Sequence, residues 1–130
     1  MEALTLYFDR CVGKHVPEAL AKITCPFQVR WHDGEGFPQN LEDDKWLHTV
    51  GSKDWIVISH DAKWHREPAA TEAITQHKIK CFYLYGANSQ MLFKISSIAH
   101  NWAKMKHRIS SQKRPFIYRI SQHNRLSKIL

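Results

Sequence analysis

Leu4-Thr5-Leu6-Tyr7-Phe8-Asp9-Arg10 is an almost wholly apolar run that closes on a carboxylate and a cation. A short apolar run rich in aromatics suits a strand buried on both faces, as in a parallel sheet. Ligands of open α/β sheets gather where such strands finish, so Asp9 is expected at a site, with core below it. Trp55-Ile56-Val57-Ile58-Ser59-His60-Asp61 repeats the design and delivers a second aspartate, Asp61, at or just past a strand end.

Between these two strands, Pro17 and Glu18 suit the first turn of a helix. Phe27-Gln28-Val29-Arg30-Trp31 alternates apolar and polar residues, as a half-exposed strand near a sheet edge does. Residues 33–40 are a loop by their Gly, Pro and Asn content. Asn40-Leu41-Glu42-Asp43 then reads as a helix N-terminus, with Asn40 as the cap, acids in the first turn and Gly51 at the end. Residues 62–67 form a basic, aromatic loop, Pro68 starts a helix reaching about His77, and residues 80–85 make the next strand. Met91, Ile95, Ile98, Trp102, Met105 and Ile109 draw one apolar stripe down a long helix and leave Lys94, His100, Lys104, His107 and Arg108 off it. Residues 115–120 read as a last strand. Strands alternating with helices predict an α/β fold, a three-layer α/β/α sandwich with a mainly parallel sheet of about five strands. The expected organisation is a single domain over 1–120 with a basic C-terminal tail over 121–130.

A chain of 130 residues is large enough to bury a core without staples. No apolar stretch approaches the roughly 20 residues of a membrane span, and no signal-peptide pattern opens the chain, so a soluble, cytoplasmic protein is expected. Cys11, Cys25 and Cys81 are odd in number, form no Cys-x-x-Cys pair and are read as reduced core residues. The nine histidines are scattered, without zinc-ligand spacing.

The net charge of +7 hides an asymmetry: residues 1–72 carry all 12 acids and 8 basic residues, a balance of −4, whereas residues 73–130 carry 11 basic residues and no acid. A wholly acid-free half points to a polyanionic partner such as RNA, beyond what solubility requires. Lys104, Lys106 and Arg108 are candidates for phosphate contact, with a solvated helix face as the plainer reading. Trp64, Tyr85 or His65 could stack bases.

Magnesium and manganese bind through a few carboxylates plus water and substrate phosphate. Asp9 and Asp61, at one end of a parallel sheet, could converge with an acid of the helix after Asn40, for which Asp43 and Asp44 are the candidates. Crowded carboxylates repel, and a cation relieves the repulsion. Arg10, Lys14 and Arg66 flank this candidate site and could steady phosphate oxygens. Plainer readings stand beside these: Asp43 as part of a capping box and Asp61 as the cap of the following turn. Cys11 lacks a histidine and an orienting acid for nucleophilic work.

Leu6-Tyr7-Phe8-Asp9 with the helix from Val16, Val29-Arg30-Trp31-His32-Asp33, Asp43-Asp44-Lys45-Trp46-Leu47, Trp55 through Asp61 and the ending Pro115 through Ile120 together resemble the PIN-like domains grouped with VapC-type toxins and Mut7-C nuclease-like domains. The resemblance covers nearly the whole chain. It implies a parallel sheet flanked by helices, an acidic pocket for magnesium or manganese, and single-strand-specific ribonuclease activity. By position, Asp9 matches the first-strand acid, Asp61 the later strand-end acid and Asp43 the helix acid, with Asp44 in reserve. Two departures matter. Ser59-His60-Asp61 stands where related domains often carry Thr-Lys-Asp or Thr-Arg-Asp, and no acid follows Glu72 to supply a late fourth carboxylate, which puts a second metal in doubt.

The expectation is therefore a magnesium- or manganese-dependent endoribonuclease, the toxin of a bacterial toxin–antitoxin pair, cleaving RNA phosphodiesters by metal-activated water. A cognate antitoxin is the implied protein partner, no membrane is involved, and a homodimer stays open. The rival is a non-catalytic nucleic-acid-binding module of the same fold, in which the carboxylates are caps. A phosphatase of the doubly wound class is third, since no Gly-rich phosphate loop follows any strand.

Overall fold

The computed structural model describes residues 4–130. Its elements in chain order are β1 (Leu4–Phe8), a single 3-10 turn (Arg10–Val12), α1 (His15–Ala21), β2 (Phe27–Trp31), α2 (Asp43–Ser52), β3 (Ile56–Ser59), α3 (Lys63–Arg66), α4 (Pro68–Gln76), β4 (Lys80–Leu84), α5 (Met91–Ser111), β5 (Phe116–Ile120) and β6 (Leu126–Lys128). The strands form one sheet in the order β2-β1-β3-β4-β5-β6, parallel throughout except for the antiparallel β5–β6 pair. The α/β class and the mainly parallel sheet are as expected, with six strands rather than about five. The segment 121–130 is not a free tail: Leu126–Lys128 pairs with Tyr118–Ile120 and closes the edge beside β5.

Side chains alternate across a strand, and the two cores follow that alternation. Leu6, Phe8, Ile56, Ile58, Phe82, Leu84, Phe116 and Ile120 face one side and pack with Val16 and Leu20 of α1 and Ile98, Met105 and Ile109 of α5. Tyr7, Val57, Cys81 and Ile117 face the other and pack with Trp46, Leu47 and Val50 of α2, Trp64 of α3 and Ile74 of α4. Both faces of β1, β3, β4 and β5 are therefore covered, the condition under which strands read as continuous apolar runs. The alternating β2 is an edge strand, as its pattern implies.

α2 starts at Asp43, and Asn40 does not cap it; the cap position falls on Glu42, which makes no side-chain cap bond. The entry is set instead by a buried relay. His32 donates from Nε2 to the Pro38 carbonyl at 2.8 Å, which leaves Nδ1 to accept from the Tyr7 hydroxyl at 3.1 Å. This pins the loop that carries the chain from β2 to α2. Gly51, near the other end of α2, has no room for a side chain: a Cβ there would lie 2.5 Å from the His77 carbonyl oxygen and 3.3 Å from Ile79 Cδ1. Gly51→Ala is expected to cost about 1–3 kcal/mol through overpacking, measurable as a fall in chemical-denaturation stability. Among the described residues no helix is long and apolar enough to cross a membrane.

Candidate metal centre at the carboxyl edge of the sheet

Asp9 directly follows β1, and its position turns the carboxylate inward, leaving only 3% of the residue exposed. Oδ1 accepts from the Arg10 N–H at 2.8 Å; Oδ2 accepts from the Ser59 hydroxyl at 3.0 Å and the Trp64 indole at 3.3 Å. Burial raises the Asp9 carboxyl above its ordinary 3.8, against the pull of those hydrogen bonds and with the field of Asp43 adding to the rise. Ser59 ends β3, the strand parallel to β1, so the two strand ends meet here because the sheet pairs them. The Ser59 hydroxyl also accepts from the Asp61 N–H at 3.0 Å.

Asp43 comes from the first turn of α2. Its Oδ1 accepts from Arg10 Nη2 and from the Trp46 indole, both at 2.9 Å, and its Oδ2 lies 2.6 Å from Lys63 Nζ. Burial pushes its carboxyl up, but Lys63, Trp46 and Arg10 together hold it below the usual carboxylate range. Asp61 caps the turn that leads into α3 by accepting from the Lys63 N–H at 3.0 Å, and its other oxygen stands 3.6 Å from Lys63 Nζ. The capping role and a place in the cluster thus coexist in Asp61. Burial opposes the charge on Lys63, yet Asp43, then Asp61 and Asp9, keep its ammonium above its ordinary range.

The structure therefore brings Asp43 and Asp61 onto the Lys63 ammonium, with Asp9 close enough for its field to reach that charge but bonded elsewhere, and it leaves Asp44 outside. Asp44 points away, bonded to His77 at 2.7 Å. Arg10, expected to steady phosphate, is already engaged by Asp43 and by the carbonyls of Gln39 and Leu41. Lys14 stays exposed beside a cavity of about 370 Å³ whose wall includes Arg10, His15, Trp31 and Gln39. Arg66 is exposed on α3. Lys104, Lys106 and Arg108 are exposed too, but α5 runs back from the carboxyl end of β4 to the amino end of β5, so its last turns lie at the edge opposite the acids. Trp64 cannot stack bases, because it is 1% exposed.

Two members of the site are not evident from sequence. Cys11 is not a core residue: its Sγ turns onto Asp9 Oδ2 at 3.6 Å and the Ser59 hydroxyl at 3.4 Å, and accepts from the His60 N–H at 3.3 Å. Burial, with the field of Asp9, pushes its thiol up to about 11, which keeps it protonated and unreactive at neutral pH. Lys63 stands two residues beyond Asp61, a spacing that becomes informative only once α3 turns the chain back.

The sequence model of the PIN like domain family matches residues 4–86. The chain belongs to the PIN-like domain family. The match spans β1 to β4 and includes every carboxylate of the cluster, whereas α5, β5 and β6 lie beyond it. No curated protein and no solved structure matches the chain. PIN-like domains are generally nucleases and typically use divalent metals, so a nuclease-type function comes with the family. In this PIN-like protein the donor chemistry fits such an ion, since carboxylates are hard oxygen ligands and the Lys63 ammonium already stands as a cation between Asp43 and Asp61. As the side chains lie, however, no three acidic, histidine or cysteine groups among the described residues are gathered to hold a metal. Their oxygens are turned to Lys63, Arg10, Ser59 and Trp64 instead.

Proposed function

We propose that this PIN-like protein is a magnesium- or manganese-dependent endoribonuclease acting on single-stranded RNA. The observation that carries the reading is that Asp43 and Asp61 hold one cation at the carboxyl edge of the sheet, with the buried Asp9 near enough for its field to act on that cation. These three carboxylates would hold the ion. Bound there, it would supply an activated water and offset the charge that builds on the phosphorus.

The chain's own residues prepare the ground for that chemistry. Ser59, Trp64 and the Arg10 N–H orient the Asp9 carboxylate. Arg10 borders both the cluster and the cavity beside Lys14, and so joins the acidic pocket to a groove in which Arg10 and Lys14 outnumber one acid, Asp33. Phosphates lying in that groove would meet Lys14, while the acid-free second half adds a sequence-blind field. The resemblance to VapC-type toxins supports a toxin held off by a cognate antitoxin.

Labelled single-stranded RNA should be cleaved with manganese and left intact in chelator. Binding, measured in chelator, should weaken steeply as salt rises. Cleavage that persists in chelator would overturn the metal reading. The rival, an RNA-binding module without catalysis, is favoured by one observation: Arg10 and Lys63 already neutralise part of the acidic charge. It predicts RNA affinity with no manganese-dependent rise in melting temperature.

A further inference from the structure

The carboxyl ends of β4 and β5 hold a second cavity, of about 350 Å³, within the size range of small-molecule sites. Its wall presents two aromatic rings with open faces, since Tyr85 is 49% and Phe93 is 60% exposed. Gln122 and Asn124 add side-chain amides, and the Asn124 Oδ1 is buried with no hydrogen-bond partner. A buried acceptor left unpaired costs free energy until a donor reaches it. Lys94 supplies the cation, and no acid occurs after Glu72 to oppose it. The first turn of α5, which carries Phe93, has no acidic residue and no side-chain cap, so the positive end of a 21-residue helix also faces this corner.

His60 ties the end of β3, which leads into Asp61, to the end of β4, which borders the cavity. It lies between Ser59 and Asp61, donates from Nδ1 to the Leu84 carbonyl at 2.6 Å, and feels the field of Lys94. Strands in a sheet are about 4.8 Å apart. The corner is therefore one to two strands from Asp61 and two to three from Asp9, within reach of a neighbouring nucleotide.

We propose that this corner is a nucleobase subsite: a base flanking the scissile phosphate stacks on Tyr85 and Phe93. The amides of Gln122 and Asn124 hydrogen-bond its edge, and Lys94 holds its phosphate. Aromatic faces with edge-reading amides are how unpaired bases are recognised. A purely apolar protein partner would leave the amides and Lys94 unanswered. The inference rests on RNA being the ligand, and it goes further by naming what selects the base beside the cut.

The test measures binding of fluorescent oligo-uridylate and oligo-adenylate, each about ten nucleotides long, in chelator so that nothing is cleaved. Tyr85→Ala and Phe93→Ala should each weaken binding about 5- to 150-fold, with melting temperature unchanged because both rings are exposed. Gln122→Ala should narrow the preference between the two oligomers. RNA affinity and preference unchanged in all three variants would overturn the subsite, even if manganese-dependent cleavage by the parent upholds the nuclease. Loss of self-association in Phe93→Ala with unchanged RNA affinity would reassign the patch to protein contact and overturn it as well. No RNA binding by the parent would remove the subsite together with the RNA reading.

Discussion

Asp9→Asn is expected to lower manganese-dependent RNA cleavage by more than about 100-fold and, in chelator, to raise the melting temperature. The first effect follows from position. Even residues that only support a metal ligand typically cost 10- to 100-fold when removed, about the floor for a ligand itself, and Asp9 is the carboxylate on which the β1 and β3 ends converge. The second follows from burial. Asp9 is almost wholly removed from water, and desolvation is the largest influence on its carboxyl. An asparagine keeps one oxygen for the Arg10 N–H and loses the bonds at Oδ2 from Ser59 and Trp64, a loss expected to be smaller than the desolvation it relieves, since Trp64 keeps its bond to Ser59.

The pH dependence separates the two effects. The unfolded chain releases the Asp9 proton near the ordinary 3.8, whereas the folded protein retains it to higher pH. Across that window the parent loses stability as pH rises, because the folded state binds more protons, and the loss levels off above the folded value. Asparagine has no such proton. The gap in melting temperature between variant and parent should therefore open from about pH 4 upward and then flatten. Asp43 acts in the opposite sense: its folded value is lowered, so its contribution is present above the unfolded value and lost as pH falls through the folded one. Asp43 is present in both proteins, so it enters the difference only through its field on Asp9. A variant less stable than the parent at every pH would show that the hydrogen bonds from Ser59, Trp64 and Arg10 outweigh desolvation.

What the sequence makes legible is whatever burial writes locally. Leu6-Tyr7-Phe8 and Ile56-Val57-Ile58 read as buried parallel strands because helices cover both their faces. Phe27–Trp31 reads as an edge strand because one face is open, and α5 reads from its stripe, although Met91 remains 45% exposed. Illegible features depend on how distant segments meet. Arg10 looks like a free phosphate ligand until the loop before α2 folds over it and supplies the carbonyls of Gln39 and Leu41. Asp43 and Asp44 are adjacent in sequence, and only the start of α2, set by the Tyr7–His32–Pro38 relay, decides which of them faces the pocket. Cys11 enters the site because a 3-10 turn after Asp9 reverses the chain before Gly13, whose φ of 82° a side chain would strain. β6 is three residues long and pairs antiparallel, too short to show a period.

If the proposed ion binds, Lys63 is expected to control its entry. Its Nζ sits 2.6 Å from Asp43 and 3.6 Å from Asp61, over the Trp64 ring at 4.7 Å. An ammonium and a divalent ion cannot share those oxygens, so metal entry requires Lys63 to leave. Lys63→Met keeps a stem over Trp64 and removes the charge, leaving Asp43 with Arg10 as its one cation and Asp61 with none among the described residues. In chelator the variant should lose on the order of 1 kcal/mol, the scale of a half-exposed ion pair with hydrogen bonding. With manganese the order should reverse. Ligand at about 100 times its dissociation constant stabilises by about 2.7 kcal/mol, so the manganese-dependent rise in melting temperature should exceed that of the parent by at least about 5 °C. Equal rises in both proteins would mean that Lys63 does not hold the cation's place. Cleavage then divides what remains: activity at limiting manganese that matches or exceeds the parent's marks Lys63 as an occupant that gives way. Tight manganese binding with slow cleavage would instead mark a second task, in which the displaced ammonium stabilises the phosphate charge it meets on leaving the pocket.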